Sequence, residues 1–207
     1  MTRKGSGVTA ERRSPLAGLA RGDVLCEVPF LAQVGLRTRT PEGRADAGTA
    51  LGLSLPEKPN TAARAGERTV VWLGPHEWLV VDPPDGEAAL EAALAEALAG
   101  GLGAAVGLSA NRTTIELRGP HARSLLARGC SLDLHPRAFA PGQCAQTMVG
   151  RAGVILEQRD ALPTYRLFVR GSFAGYLATW LLDALAEIEA SSAALRQRSV
   201  RATSLNV

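Results

Sequence analysis

Apolar and polar positions change period along the chain, and each change marks an element. Residues 24–30 alternate enough to predict a strand ended by Pro29, and residues 31–36 predict a second short one. Residues 69–73 and 78–81 are β-rich runs joined by Gly74, Pro75, His76 and Glu77, a connection of hairpin length. The period then lengthens. Leu90, Leu94, Ala97 and Leu98 fall at i, i+4, i+7 and i+8 and predict a helix over residues 87–98, stopped by Gly100, Gly101 and Gly103. Residues 105–109 and 113–118 return to strand patterning. Gly119 and Pro120 lead into a helix over residues 121–128, since proline in a first helical turn has no needed donor to lose. Residues 144–149 and 154–158 predict a hairpin, and residues 164–170 a further strand.

The last element carries the strongest pattern. Ser172 is placed to cap a helix in which Phe173, Tyr176, Leu177, Trp180, Leu181, Ala184, Leu185 and Ile188 recur at helical spacing. That face is expected to be buried, on the chain's own sheet or on a partner. Between residues 37 and 68 Gly, Pro, Thr and Ala dominate with little periodicity, so a long connection with short strand pieces is expected. Helices interleaved with hairpins, rather than strictly alternating with strands, predict an α+β fold of mostly antiparallel sheets with packed helices. The 207 residues suffice for a core without disulfide or metal staples. The expected organisation is a basic flexible tail over residues 1–14, a single compact two-lobed unit over 15–190, and a second basic flexible tail over 191–207.

Composition narrows the classes. Apolar residues at 46% and charged ones at 21% are ordinary for a globular protein. Apolar runs end well before the roughly 18 residues a membrane helix needs, so no membrane partner is expected. Residues 1–13 lack the apolar segment and cleavage site of a secretory signal, and the cytoplasm is the expected compartment. The net charge is +3, but residues 1–13 and 191–207 contribute +3 each, leaving the body near −3. Basicity confined to tails is a poor footprint for phosphate, and no nucleic-acid partner is expected. Cys26, Cys130 and Cys144 are odd in number and widely spaced, which reads as reduced thiols rather than a disulfide framework or zinc ribbon.

A search for chemistry returns no complete site. Gly101-Leu-Gly103-Ala-Ala-Val106 has Val106 where a dinucleotide fingerprint needs glycine, and it follows a helix where a strand is required. Lys4 and Lys58 are the two lysines, and neither lies in a phosphate-binding loop motif. His76, His121 and His135 occur singly, without the spacing of a metal triad. His76 lies at a turn and His121 near a helix start, where solvated or capping roles are expected. Ser109, Ser124 and Ser172 lack a nucleophile elbow. No catalytic, cofactor-binding or metal residue is therefore assigned. Aromatics are 4% of the chain, yet two of its three tryptophans share one hairpin. Trp72 and Trp78 there, with Tyr176 and Trp180 on the last helix, are expected to act in packing or as subunit interface.

Five blocks, in order, resemble one family: Trp72-Leu-Gly-Pro-His-Glu-Trp78-Leu-Val, Asn111-Arg-Thr-Thr-Ile-Glu-Leu-Arg-Gly-Pro120, Gly129-Cys-Ser-Leu-Asp-Leu-His-Pro136, Pro141-Gly-Gln-Cys-Ala-Gln-Thr147, and the helix from Ser172 to Glu187. Together they are similar to the gamma subunit of heterotetrameric sarcosine oxidase, over roughly residues 15–187. The resemblance implies a fold related to the folate-binding domain of glycine-cleavage aminomethyltransferases. It also implies alpha, beta and delta subunits that carry FAD, FMN, NAD and tetrahydrofolate. In that family sarcosine loses a hydride to flavin, and the one-carbon unit of the resulting imine can pass to tetrahydrofolate. Oxygen finally takes the electrons as hydrogen peroxide. None of these steps maps onto a motif of this chain, which points to a non-catalytic subunit. The alternative is a stand-alone folate-binding one-carbon transferase of the aminomethyltransferase type. The Asn-x-x-Gly-Gly pattern of those transferases is not found in the sequence.

Overall fold

The near-continuous apolar runs of the tryptophan hairpin are explained by burial on both faces. β4 (Arg68–Gly74) and β5 (Glu77–Asp82) pair antiparallel with Trp72 opposite Trp78 and an irregularity before Gly74. Val70, Trp78 and Val80 pack into one apolar cluster, while Val71, Leu79 and Val81 pack into another. A strand buried on both sides reads as a run rather than an alternation. The computed structural model describes residues 12–17 and 22–204, with side chains described as far as residue 193.

β1 (Leu25–Glu27), β7 (Arg112–Leu117), β10 (Tyr165–Arg170), β9 (Ala152–Gln158) and β8 (Cys144–Val149) form one five-stranded sheet, in the order β1-β7-β10-β9-β8. β3 (Ala62–Ala65), β4, β5, β2 (Ala32–Thr38) and β6 (Gly103–Gly107) form the second, in the order β3-β4-β5-β2-β6. Every pairing within these sheets is antiparallel. α3 (Ala122–Ala127) and α4 (Gly171–Ser204) back the first sheet, through Leu125, Leu126, Leu177 and Leu181 against Ile115, Leu117, Leu167 and Val169. α1 (Pro41–Leu51) and α2 (Glu87–Ala97) back the second, through Ala47, Leu51, Leu90 and Leu94 against Val34, Leu36, Val70 and Trp78. The inner faces meet through Leu31, Val71, Leu79 and Val81 on one side and Cys144, Ile155 and Phe168 on the other. The α+β class with antiparallel sheets and packed helices is the observed architecture.

Two expectations need correction, and a third is met in most of its residues. The stretch expected as a connection contains α1, whose start Thr40 accepts a hydrogen bond from Gly43 N at 3.1 Å and whose end is Gly52 at φ 72°. Its buried positions, Gly43, Ala47, Gly48 and Leu51, are mostly small, so helical spacing was present without large apolar side chains to show it. Ser172 is not a cap, because α4 begins at Gly171, directly after β10. The buried stripe of α4 is Ala174, Leu177, Ala178, Leu181, Ala184 and Ile188, with Trp180 and Leu185 packed against the same cluster; Phe173 and Tyr176, expected to be covered by the sheet or by a partner, are 43% and 41% exposed in this chain. Alanine lets the helix approach the sheet closely, which turns the aromatic flank outward.

The expected tails also differ where they can be followed. Arg12 pairs with Asp85 at 2.7 Å and Ser14 with Glu27 at 2.5 Å, so residues 12–14 are anchored to the fold. Arg3 and Lys4 lie outside the described residues. At the other end α4 continues to Ser204, and the side chains of Arg196, Arg198 and Arg201 are not among those described.

Candidate functional site

The register of the first sheet sets a row of polar side chains across its inner face. Cys26 lies opposite Glu116, Glu116 opposite Arg166, Arg166 opposite Glu157, and Glu157 opposite Cys144. Arg166 Nε donates to Glu116 Oε2 at 2.7 Å, and Arg118 pairs with the other oxygen of Glu116. Burial pushes the Glu116 carboxyl up, but the hydrogen bonds from Arg166 and Arg118 outweigh it and hold the group below its ordinary range. Glu157 is fully buried, and β3 of the other sheet supplies its partner. Arg64 Nε donates to Oε1 at 3.0 Å and Nη2 at 2.5 Å. Arg159 Nη1 stands 3.7 Å from Oε2, an ionic contact rather than a hydrogen bond. Cys144 closes the row; burial pushes its thiol up to about 12, against the carbonyl of Trp72 which it reaches at 3.5 Å. A thiol with that pKa is inert as a nucleophile near neutrality.

A cavity of about 520 Å3 lies where the two halves join. Its walls come from the N-terminal segment, the β1–β2 connection, the start of α2 and the turn into β7. Phe30 at φ 60° and Asp85 at φ 69° line it, and both hold a backbone conformation that side-chain-bearing residues rarely adopt. Arg12 bridges them, with its guanidinium carbon 4.7 Å from the Phe30 ring centroid and Nη1 2.7 Å from Asp85. Glu27, 8% exposed, accepts from Ser14 Oγ at 2.5 Å and from Thr113 Oγ1 at 2.7 Å. Glu87 Oε1 accepts from Ser109 N at 2.9 Å, and Ser109 Oγ in turn accepts from Gln33 N. Arg12 on Asp85 and Ser109 on Glu87 thus tie the N-terminal segment and the β6–β7 link to the residues around the start of α2.

The aromatic residues singled out in the sequence do not converge. Trp78 is 1% exposed, and its Nε1 donates to the Pro56 carbonyl at 2.8 Å. Trp72, partly buried, touches both the outer and the inner cluster of its sheet. Tyr176 and Trp180 lie on α4 over the other sheet, where the Tyr176 hydroxyl accepts from Arg151 N at 3.1 Å and Trp180 crowds Gly129. His76 is exposed at its turn. His121 occupies the position before α3 without a side-chain cap, and His135 Nδ1 accepts from Arg137 N. Among the described residues, no three His, Cys, Asp or Glu side chains gather into a metal site, and no helix is long and apolar enough to cross a membrane.

Sequence reasoning missed the charged row and the cavity wall. One signal was available: Glu116, Glu157 and Arg166 each stand next to large apolar residues within a strand, which marks a charge that needs a partner if buried.

Two helix-backed antiparallel sheets, joined by an inner cluster and an ionic row, define an α+β protein of the aminomethyltransferase fold. The glycine cleavage system aminomethyltransferase T from Bartonella henselae aligns at TM-score 0.58 and 15% identity, over 76% of this chain and 45% of that one, a likeness of fold alone. Closer similarity fixes the family. Residues 38–187 match the sarcosine oxidase, gamma subunit family, and the chain belongs to it. The sarcosine oxidase subunit gamma of Corynebacterium sp. (strain P-1) is 36% identical over 190 residues, covering 86% of this chain and 92% of the relative. The Arthrobacter sp. protein of the same name is 36% identical over 197 residues, covering 90% and 96%. Among solved structures, the heterotetrameric sarcosine oxidase from Corynebacterium sp. U-96, in complex with pyrrole 2-carboxylate, aligns at TM-score 0.78 and 34% identity, over 85% of this chain and 95% of the matched one.

Proposed function

We propose that this chain is a non-catalytic, structural subunit of a heterotetrameric sarcosine oxidase. The complex would oxidatively demethylate sarcosine to glycine in the cytoplasm, with hydrogen peroxide and 5,10-methylenetetrahydrofolate or formaldehyde as products. The observation that carries the proposal is the alignment along almost the whole of a chain from such a heterotetramer, at TM-score 0.78 and 34% identity. In this reading the alpha, beta and delta subunits hold FAD, FMN, NAD and tetrahydrofolate. The engagement of Glu116, Glu157, Glu27 and Glu87 with donors of the same chain supports a structural role, as does the raised pKa of Cys144. A group that catalyses proton transfer must be able to reach substrate.

The test is to express the chain, tagged, together with the neighbouring flavoprotein subunits. Recovery on the tag of a yellow assembly that oxidises sarcosine is the expected result. A colourless chain that leaves those proteins in the flow-through contradicts it. Titration of the isolated chain with tetrahydrofolate separates the transferase alternative: no heat is expected, and saturable binding would favour that alternative.

A further inference from the structure

The two sheets have four edges, and three of them are blunted. β1 is a three-residue strand. β3 carries Arg64, which turns into the other sheet to meet Glu157. β8 is met at both ends: Cys144 N donates to Asn60 O at 2.9 Å, and Val149 bridges to Cys130. Short edges, inward-pointing charges and covering segments are the usual defences of an exposed strand.

β6 has none of them. Gly103-Ala-Ala-Val-Gly107 contains neither charge nor proline, and it ends the order of its sheet. Leu108 N donates to Gln33 O, and Thr38 N donates to His76 on the other side of β2. The odd-numbered residues of β2 therefore bond toward β6, and by antiparallel alternation the peptide groups of Gly103, Ala105 and Gly107 face outward. No hydrogen bond among the described residues reaches those groups. Beside them Leu102 is 76% exposed and Val106 53%.

The charges around this edge differ between its faces. At the Gly107 end a side chain on the α2 face would meet Glu87 and Glu91. At the other end Ala104 pairs with Arg37 on the opposite face; Arg37 is ion-paired with Glu77 at 2.9 Å, and Arg39 and His76 join this pair around the cleft beside Gly103 and Ala104. A second copy joined by a two-fold axis through Ala105 would keep like faces together. It would set its Leu98, not a cation, beside Glu87 and Glu91. An extended segment of another protein can satisfy both ends at once, because successive side chains alternate between faces.

We propose that β6 is the docking edge for an extended segment of another subunit of the complex. The segment joins the second sheet as a sixth, antiparallel strand, with a basic side chain opposite Gly107 and, three residues later, an acidic one opposite Ala104. This rests on the subunit reading above. Amide hydrogen exchange on the full chain, free and in the purified complex, tests it. In the complex, exchange at Ala105 and Gly107 is expected to slow by about a hundredfold. If the complex forms and these amides exchange as in the free chain, the edge proposal fails while the subunit reading stands. If no complex forms, both fail. Protection already present in the free chain, whether monomeric or dimeric, also overturns the proposal, since the edge is then covered by the chain itself or by a second copy.

Two variants add an independent arm. Ala105→Pro deletes an outward N–H and leaves the groups facing β2 in place, and Val106→Lys sets a charge on the edge. Both are expected to keep the thermal midpoint of the free chain within a few degrees and to lower recovery of the complex about tenfold or more. Recovery equal to wild type for both overturns the proposal.

Discussion

A side chain at Gly129 would stand 2.5 Å from Cη2 of Trp180 and 3.0 Å from the backbone nitrogen of Gly150. Gly150 N in turn donates to Gly129 O at 2.9 Å, so the two loops cannot part without losing a hydrogen bond. Gly129→Ala is expected to destabilise the chain by about 1–3 kcal/mol through overpacking. Denaturant midpoints check this, and adding Trp180→Leu, which removes the six-membered ring, should recover part of the loss. Trp78 presents a different case at the same scale. Its ring lies in the core and its N–H is committed to Pro56, so Trp78→Phe strands a carbonyl acceptor and should cost about 1–3 kcal/mol in the same measurement. The sequence shows that these rings are unusual, not which of them is buried. An indole suits a core and an interface equally, and its surroundings come from strands distant in sequence.

At the scale of elements, legibility followed side-chain size. α2 and the tryptophan hairpin, marked by large apolar residues at clear spacing, lie close to where the pattern places them. α1 was masked by glycine and alanine, although Thr40, Pro41 and Gly52 supply both of its boundaries. In α4 the pattern named the helix and most of its buried face: Leu177, Leu181, Ala184 and Ile188 are buried, and Trp180 and Leu185 pack against the same cluster. Large aromatics extended the stripe to Phe173 and Tyr176, which are exposed here, while the small Ala174 and Ala178, buried beside the leucines, left no mark in the pattern. Connections between sheets left no mark in local periodicity, and Arg64 of β3 on Glu157 of β9 is the plainest instance. Arg64→Ala leaves a fully buried carboxylate with only the longer contact to Arg159 and should cost about 3–5 kcal/mol. Replacing both partners, as Arg64→Met with Glu157→Leu, should cost less than the single change. Additive losses in a double-mutant cycle would show that the pair is not coupled.

Across the whole molecule, the ionic row on the inner face ties stability to pH. Glu116 is held below its ordinary range in the folded chain. Its carboxylate therefore contributes stability that is present above the unfolded value, about 4.3, and is lost as pH falls through the folded value. Urea midpoints should drop as pH falls below about 4.3, and Glu116→Gln should flatten that drop. An unchanged profile in the variant would remove Glu116 as its source.

The same scale holds the central claim, that this chain serves a sarcosine oxidase by joining it. Native mass measurement of the assembly purified through the tagged chain tests that most directly. The predicted result is one copy of the 21.7 kDa chain in each four-subunit, flavin-containing particle. A preparation in which the chain runs as a free species, with the flavoproteins complete and active without it, would contradict the claim.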